Sequence, residues 1–240
     1  MKDKKTIFMA YTDASSYNNG RRAHPNEPEN SCSAGVVVLD HTIVYSFHNY
    51  NPDTTISYGE LYAIYTLLKE FTPLIYDTNC RLVLHTDSEY CFKSITQWYR
   101  NWKKNSIAGI WQTPRGPVPY QEMLEEIINM VKESKSIIKH VSGGHFDVLD
   151  ESKLYLTDKW GDIIEGPYGP IPRKPYKDAI LTCQKRYLRN NGEKISQSQA
   201  AYHMFFNNIC DQIAKAGLEY GMDGSISYEP KRKSFKKFID

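Results

Sequence analysis

Four acidic residues, set in fixed order at the ends or on the faces of predicted elements, most constrain how this chain can fold. Asp13 lies in Tyr11-Thr12-Asp13-Ala14-Ser15, just after the strand-like run Thr6-Ile7-Phe8-Met9-Ala10. Glu60 opens an apolar helical pattern in Gly59-Glu60-Leu61-Tyr62-Ala63, and Asp87 closes Arg81-Leu82-Val83-Leu84-His85-Thr86 ahead of Ser88. Asp211 lies in Asn207-Asn208-Ile209-Cys210-Asp211-Gln212. Carboxylates gathered where strands end repel one another unless positive charge sits between them. Hard divalent cations take carboxylate oxygens, so a pair of magnesium ions is the economical filling, and manganese accepts the same ligands. Two such ions about 3.5–4 Å apart can clamp the attacking and leaving oxygens of a phosphodiester.

The surrounding pattern reads as an alternation of strands and helices. Residues 6–12 are extended and apolar, whereas 15–31, rich in Asn, Pro and Glu, read as a surface loop. Residues 35–39 and 43–47 are short strands, separated by the hairpin signal Asp40-His41-Thr42. Leu61, Ile64, Leu67, Leu68 and Phe71 recur at helical spacing, and Pro73 is expected to end that helix. Residues 82–84 are apolar enough for a strand covered by helices. A helical pattern from 88 to about 105 turns aromatic and basic, and 106–119 is a loop of Gly and Pro. Met123, Leu124, Ile127, Ile128 and Val131 mark a further helix, and 137–141 the last strand. Residues 161–175 look irregular, while Tyr176, Ile180, Cys183 and Tyr187 mark one helix. Ser196 and Gln199 resemble a capping box that opens the helix carrying Asp211.

Composition excludes several classes. Hydrophobic residues make up 40% and charged residues 24%, so a packed core is expected rather than disorder. The five scattered cysteines include no C-x-x-C pair, which argues against a disulfide framework or structural zinc and fits a reducing compartment. No apolar run approaches the roughly 20 residues of a membrane span, and Met1-Lys2-Asp3-Lys4-Lys5 leads into a strand rather than a signal peptide. The expected location is cytoplasmic. Net charge is only +2, but basic residues crowd the tail at Lys231-Arg232-Lys233 and Lys236-Lys237 and surround tryptophans at Arg100, Lys103 and Lys104.

In order and context these residues resemble ribonuclease HI, with motif matches over roughly residues 6–146 and 200–219. A second signature is independent of the acids. Gln97-Trp98-Tyr99-Arg100-Asn101-Trp102-Lys103-Lys104 resembles the start of the basic protrusion of bacterial members, and Pro117-Val118-Pro119-Tyr120-Gln121 its exit. The resemblance implies the ribonuclease H fold, an α/β architecture with a mixed five-stranded sheet flanked by helices. It also implies one domain over 1–220 with an insertion at about 147–196, followed by a basic tail at 221–240. Taken singly, each acid has a plainer reading: a turn residue at Asp13, a helix-dipole partner at Glu60, a cap at Asp87-Ser88, a solvated residue at Asp211. Their order together with the protrusion carries the resemblance.

What the family implies for these positions is specific. Asp13 and Asp87 would share two magnesium ions, with Glu60 on one and Asp211 on the other. A mobile histidine after the last strand would assist proton transfer or product release, because imidazole titrates near neutrality. His145, after Val141-Ser142-Gly143-Gly144, fits that place, and His203 is the competitor. Ser15, Ser57 and Ser88 are the polar candidates beside the RNA strand. Trp98, Trp102, Lys103 and Lys104 would hold the DNA strand, with Tyr120 where relatives carry tryptophan. The glycine-rich turn of relatives is replaced by a longer loop with Asn18, Asn19, Arg21 and Arg22. The expected activity is hydrolysis of the RNA strand of RNA–DNA hybrids by a monomer, leaving 5′-phosphate and 3′-hydroxyl ends. A silent hybrid-binding module and a junction resolvase of the same fold stay open as alternatives. The insertion either packs on the protein's own surface or offers Tyr168, Arg173, Lys174, Tyr176, Lys185 and Arg186 to nucleic acid or a partner protein.

Overall fold

The computed structural model describes residues 5–17, 29–77, 80–143, 149, 151–167 and 169–223. Five strands form one mixed sheet, as the resemblance implied, and their order is β3-β2-β1-β4-β7. They are β1 (Thr6–Tyr17), β2 (Asn30–Leu39), β3 (Thr42–Asn51), β4 (Cys80–Thr86) and β7 (Ile137–His140). The first three run antiparallel, and β4 lies parallel to both β1 and β7. Asp40 and His41 adopt left-handed backbone (φ 45° and 66°), making the two-residue turn whose twist suits a β2–β3 hairpin.

The loop expected over 15–31 is shorter at both ends than the sequence implied. β1 continues through Ser16 and Tyr17, which pair with Ser31 and Asn30. Polar side chains survive burial there because they bond one another. Asn51 donates to Ser33 Oγ at 2.8 Å, and the hydroxyls of Ser31 and Thr54 lie 2.7 Å apart. The Asn18, Asn19, Arg21 and Arg22 positions lie outside the described residues.

Helices cover both faces. On one face α1 (Ile56–Asp77) and α4 (Gln121–Ser134) bury Leu61, Ile64, Leu67, Leu124 and Ile127 against Ala10, Leu82 and Leu84. Each such leucine contributes about 1.5–3 kcal/mol by leaving water. α1 runs past Pro73, which removes one backbone bond without ending the last turn. The single helix expected over 88–105 is three pieces: α2 (Glu89–Lys93), a π-helical turn (Ser94–Trp98) and α3 (Tyr99–Lys104). Thr96 Oγ1 donates to the Phe92 carbonyl at 2.6 Å, a side-chain bond that competes with the regular ladder. Two short strands, β5 (Gln112–Thr113) and β6 (Gly116–Pro117), follow before α4.

The other face is covered by α7 (Gln197–Asp223) across β1, β2 and β3, and by α6 (Lys174–Asn191) against β7 and α7. Ser196 and Gln199 do form the reciprocal cap, at 2.9 and 3.1 Å. The segment expected to be irregular folds back on itself instead. After α5 (Glu151–Leu154), Tyr155 bridges Pro172 and Thr157 bridges Ile163, and β8 (Glu165–Gly166) pairs with β9 (Gly169–Pro170). Backbone pairing gives these glycine- and proline-rich residues an order that side-chain periodicity could not reveal. No helix among the described residues is long and apolar enough to cross a membrane. The tail lysines lie outside the described residues.

Candidate functional site

Register brings the first two acids together. β1 and β4 are adjacent and parallel, with Thr12 beside Thr86, so Asp13, within β1, and Asp87, just past the end of β4, are neighbours across the pair. Glu60 arrives from above on α1, and the approach depends on Gly59. A Cβ there would stand 2.9 Å from Ser31 Oγ and 3.0 Å from Ala14 Cβ, so any larger residue would push α1 off the strands. As a result, ligand oxygens of Asp13, Glu60 and Asp87 all lie within 4.8 Å of one another.

The electrostatics of this cluster are those of a site built for a cation. Asp13 is buried, and its carboxyl is pushed well above the usual range by burial first, then by Asp87 and Asp211. Glu60 is raised by burial, then by Asp13 and Asp87. The backbone N–H of Ala14 donates to Asp13 Oδ1 at 2.8 Å and favours the charged form of both residues, but Glu60 Oε2 is buried without a partner. An orphaned carboxylate oxygen beside two further carboxylates fits a hard divalent ion by donor chemistry. The three acids could therefore hold a metal.

Asp211 stands one step aside. It is near enough to raise Asp13, yet it is not among the three residues within 4.8 Å, and its Oδ2 pairs with Lys215 at 2.7 Å. Of the two histidine candidates, His145 lies outside the described residues. His203 is buried, and its Nδ1 shares a hydrogen bond with the Tyr11 hydroxyl at 2.8 Å. Its pKa is lowered to about 4 by burial, so it has neither the access nor the basicity of a mobile proton carrier. His85 packs against His203 in the same buried group, its Nδ1 bonded to the Ala10 carbonyl at 3.2 Å.

The expected substrate positions divide into two groups. Ser15 is half-buried on β1, two residues beyond Asp13 and on the same strand face. Ser57 lies in the first turn of α1, and Ser88 caps α2, accepting from Cys91 N at 3.4 Å. These three flank the acids. Trp98 and Trp102, with ring centroids 5.7 Å apart, line a groove of about 430 Å³ together with Asn101, Asn105, Gln112 and Thr113. Lys103 and Lys104 extend from the last turn of α3, fully exposed. Tyr120 links the groups, because its hydroxyl lies 2.9 Å from Thr55 Oγ1 at the head of the Glu60 helix.

Two residues escaped the sequence reading. Asn207 Nδ2 donates to Asp87 Oδ2 at 3.2 Å, and the signal was its place one helical turn before Asp211, on the same face of α7. Gly143 is pressed against Asp87, and a Cβ at that position would overlap the Asp87 carboxylate. In the insertion, Tyr176 is buried against Tyr155, which withdraws it from the nucleic-acid candidates, and Arg173 is turned back onto the Tyr155 carbonyl at 2.7 Å. Tyr168 lies outside the described residues, while Lys174, Lys185 and Arg186 are exposed.

Curated relatives include a ribonuclease H of Thermosynechococcus vestitus, 30% identical over 109 residues, covering 45% of this chain and 64% of the relative. A ribonuclease HI of Pasteurella multocida is 24% identical over 153 residues, covering 63% of this chain and 60% of the relative. The chain thus spans less than two thirds of the length of each. A solved type 1 ribonuclease H with the type 2 active-site motif superposes with a TM-score of 0.47 at 19% identity, covering 60% of this chain and 67% of that one, too distant a likeness to add weight. The family profile for RNase H matches residues 5–150, which include Asp13, Glu60 and Asp87 but neither α6 nor the Asp211 helix. A match of that extent, over the very strands and helix that bring the three acids together, makes this chain a member of the ribonuclease H family.

Proposed function

We propose that the protein is a metal-dependent endonuclease that hydrolyses the RNA strand of RNA–DNA hybrids, leaving 5′-phosphate and 3′-hydroxyl ends. The observation that carries this reading is the meeting of Asp13, Glu60 and Asp87 within 4.8 Å in a chain of the ribonuclease H family. Asp13 and Asp87 would be shared between two magnesium ions, with Glu60 on one and Asp211, freed from Lys215, on the other. When bound, such ions supply a water of lowered pKa and a counter-charge for the departing oxygen. Asn207 would steady the Asp87 carboxylate through its bond to Oδ2, and Gly143, lacking a Cβ, leaves that carboxylate room.

Selectivity for the hybrid would arise on either side of the acids. Ser15, Ser57 and Ser88 offer hydroxyls to the 2′-hydroxyl side of the minor groove, which only the RNA strand presents. The groove of Trp98 and Trp102, with Lys103 and Lys104 beside it, offers aromatic faces and positive charge to the DNA strand. The Tyr120–Thr55 bond would keep that arm in register with Glu60. His145 is the proposed proton carrier, and a role for the insertion in binding a partner protein is set aside in favour of the reading below.

Cleavage of a labelled RNA–DNA hybrid with magnesium, beside RNA duplex, DNA duplex and branched DNA, tests the proposal. Asp87→Asn is expected to lower hybrid cleavage by at least about a thousandfold, because it removes charge that is needed only with the cation and the reacting phosphate. Binding of hybrid without cutting by the unmodified chain would instead support the silent module, and cutting of branched DNA alone would support a resolvase.

A further inference from the structure

The helix that the family match does not cover is fastened to the strand end beside the acids. Asn191, the last residue of α6, accepts from His140 N at 2.9 Å and donates to His140 O at 2.7 Å, which satisfies the free edge of β7. Asn190 Nδ2 meets His140 Nδ1 at 2.9 Å. Lys139 and Glu193 close the same seam at 2.6 Å, and Gln184 donates to the Ile195 carbonyl at 2.8 Å. On the same face of α6, buried Cys183 and Tyr187 pack the helix against α7, Cys183 beside the Ala200 carbonyl and Tyr187 stacked on His203. The helix is therefore a rigid ledge on the β7 flank of the site.

What the ledge presents is positive. α6 carries five lysines and arginines against one aspartate. Arg186 Nη1 donates to Ser142 Oγ at 3.2 Å, and Ser142 precedes Gly143, the residue pressed against Asp87. That chain of contacts links the Arg186 guanidinium to the Asp87 carboxylate through two neighbouring residues. Arg189, one turn on, faces His140 together with Arg186, and both are exposed. Among the described residues neither is in an ion pair, since nearby Glu89 is paired with Lys93 and Glu193 with Lys139. Arg186 is anchored on Ser142, and Arg189 Nε donates to the adjacent Asn190 Oδ1 at 3.2 Å, which leaves each guanidinium further N–H groups to offer phosphate oxygens. The two guanidiniums also offset the repulsion that three carboxylates impose on a polyanion.

We propose that Arg186 and Arg189 form a phosphate-binding ledge that grips the cleaved strand on the β7 side of the acid cluster. The proposal rests on the reading of that cluster as a hybrid nuclease, and it assigns the inserted helix a substrate contact rather than a purely structural one.

Fluorescence anisotropy of labelled hybrid, measured in an Asp87→Asn background so that the substrate survives, tests the ledge separately from the activity. Against that background, Arg186→Ala with Arg189→Ala is expected to weaken binding about ten-fold and to lower the slope of log affinity against log salt by about one per lost contact. Arg186→Lys with Arg189→Lys should keep the salt slope while losing part of the affinity, which separates phosphate contact from damage to the fold. Hybrids shortened from one end only should bind the parent and the Ala variant equally once the ledge has no phosphate to hold. An unchanged affinity and slope in the Ala variant would overturn the ledge. So would an equal loss on hybrids of every length, because that is the mark of a disturbed Asp87 loop. Failure of the unmodified chain to cut hybrid would sink the nuclease reading instead, and the anisotropy would still decide the ledge.

Discussion

The two faces of the central sheet are packed in different chemical languages. Between the sheet and α1 and α4 the centre of the core is aliphatic, with Ala10, Leu82, Leu84, Ile64, Leu67, Leu68 and Ile127, and its buried aromatics include the apolar phenylalanines Phe71 and Phe92 rather than histidines. Between the sheet and α6 and α7 it is aromatic and polar. Tyr11 lies 4.9 Å from His85 and 5.5 Å from Phe206, His85 lies 4.6 Å from His203, and Tyr187 stacks on His203 at 5.2 Å. Alternation along β1 explains why the second face differs. Tyr11 and Asp13 share that face, so the core under α7 runs directly into the acids. A purely aliphatic layer could stabilise the fold but could not carry hydrogen bonds to the edge of a charged site. The aromatic layer does both, with Tyr11 hydrogen-bonded to His203 and Asn207 of the same helix donating to Asp87.

The largest effect separating the two faces should come from a truncation on the aliphatic side. Leu84→Ala is expected to cost about 2–5 kcal/mol, equally at acid and neutral pH, since Cys91 and Tyr90 in that core are pushed up by burial and stay neutral across that range. The urea midpoint should fall with the slope unchanged. A loss that varied with pH would break the contrast.

On the aromatic side the loss should depend on pH. Burial lowers His203 from 6.5 to about 4, so the folded protein keeps it neutral while the unfolded chain takes up a proton first. Its contribution is complete above about 6.5 and is lost as pH falls through about 4, roughly 3 kcal/mol in all. His85 is lowered in the same sense by burial and by His203. In His203→Gln the fall in urea midpoint on acidification should be visibly shallower, and an unaltered acid slope would show that the aromatic layer is not what titrates.

The smallest effect should appear where the aromatic layer meets the acids, and it should have the opposite sign. Asp13 and Glu60 are raised, so the folded state binds protons more readily than the unfolded chain. In the presence of a chelator, stability should therefore fall as pH rises through and above the ordinary carboxylate range. Magnesium should restore about 2.7 kcal/mol at roughly 100 times its Kd. Asp13→Asn should be more stable than the unmodified chain without metal, and insensitive to magnesium. Calorimetry showing the same melting temperature with and without magnesium at neutral pH would argue against a cation at this site.

Much of the site was legible in the sequence because its determinants are local. A strand that carries Asp13, another that leads into Asp87 and a helix that begins beside Glu60 are each signalled by runs of apolar residues, and a parallel β1–β4 pair then brings the two aspartates together. The capping pair Ser196 and Gln199 and the hairpin at Asp40-His41 were likewise local signals. The extension of β1 to Tyr17 was not legible, because its partners Ser31 and Asn30 are polar, and only pairing across the sheet makes them strand residues. Nor was the burial of His203, whose place beneath Tyr11 is set by the way α7 crosses the sheet.

Propensity and apolar spacing act between neighbours along the chain, and they sufficed for the main strands and helices, their order and the identity of the acids. Long-range packing settled that Asn207 bonds Asp87 while Gly143 leaves it room, and that α6 seals β7 and ties Arg186 to Ser142. Those outcomes depend on contacts between residues far apart in sequence, where packing and the pairing of buried polar groups, not local preference, settle which side chains meet.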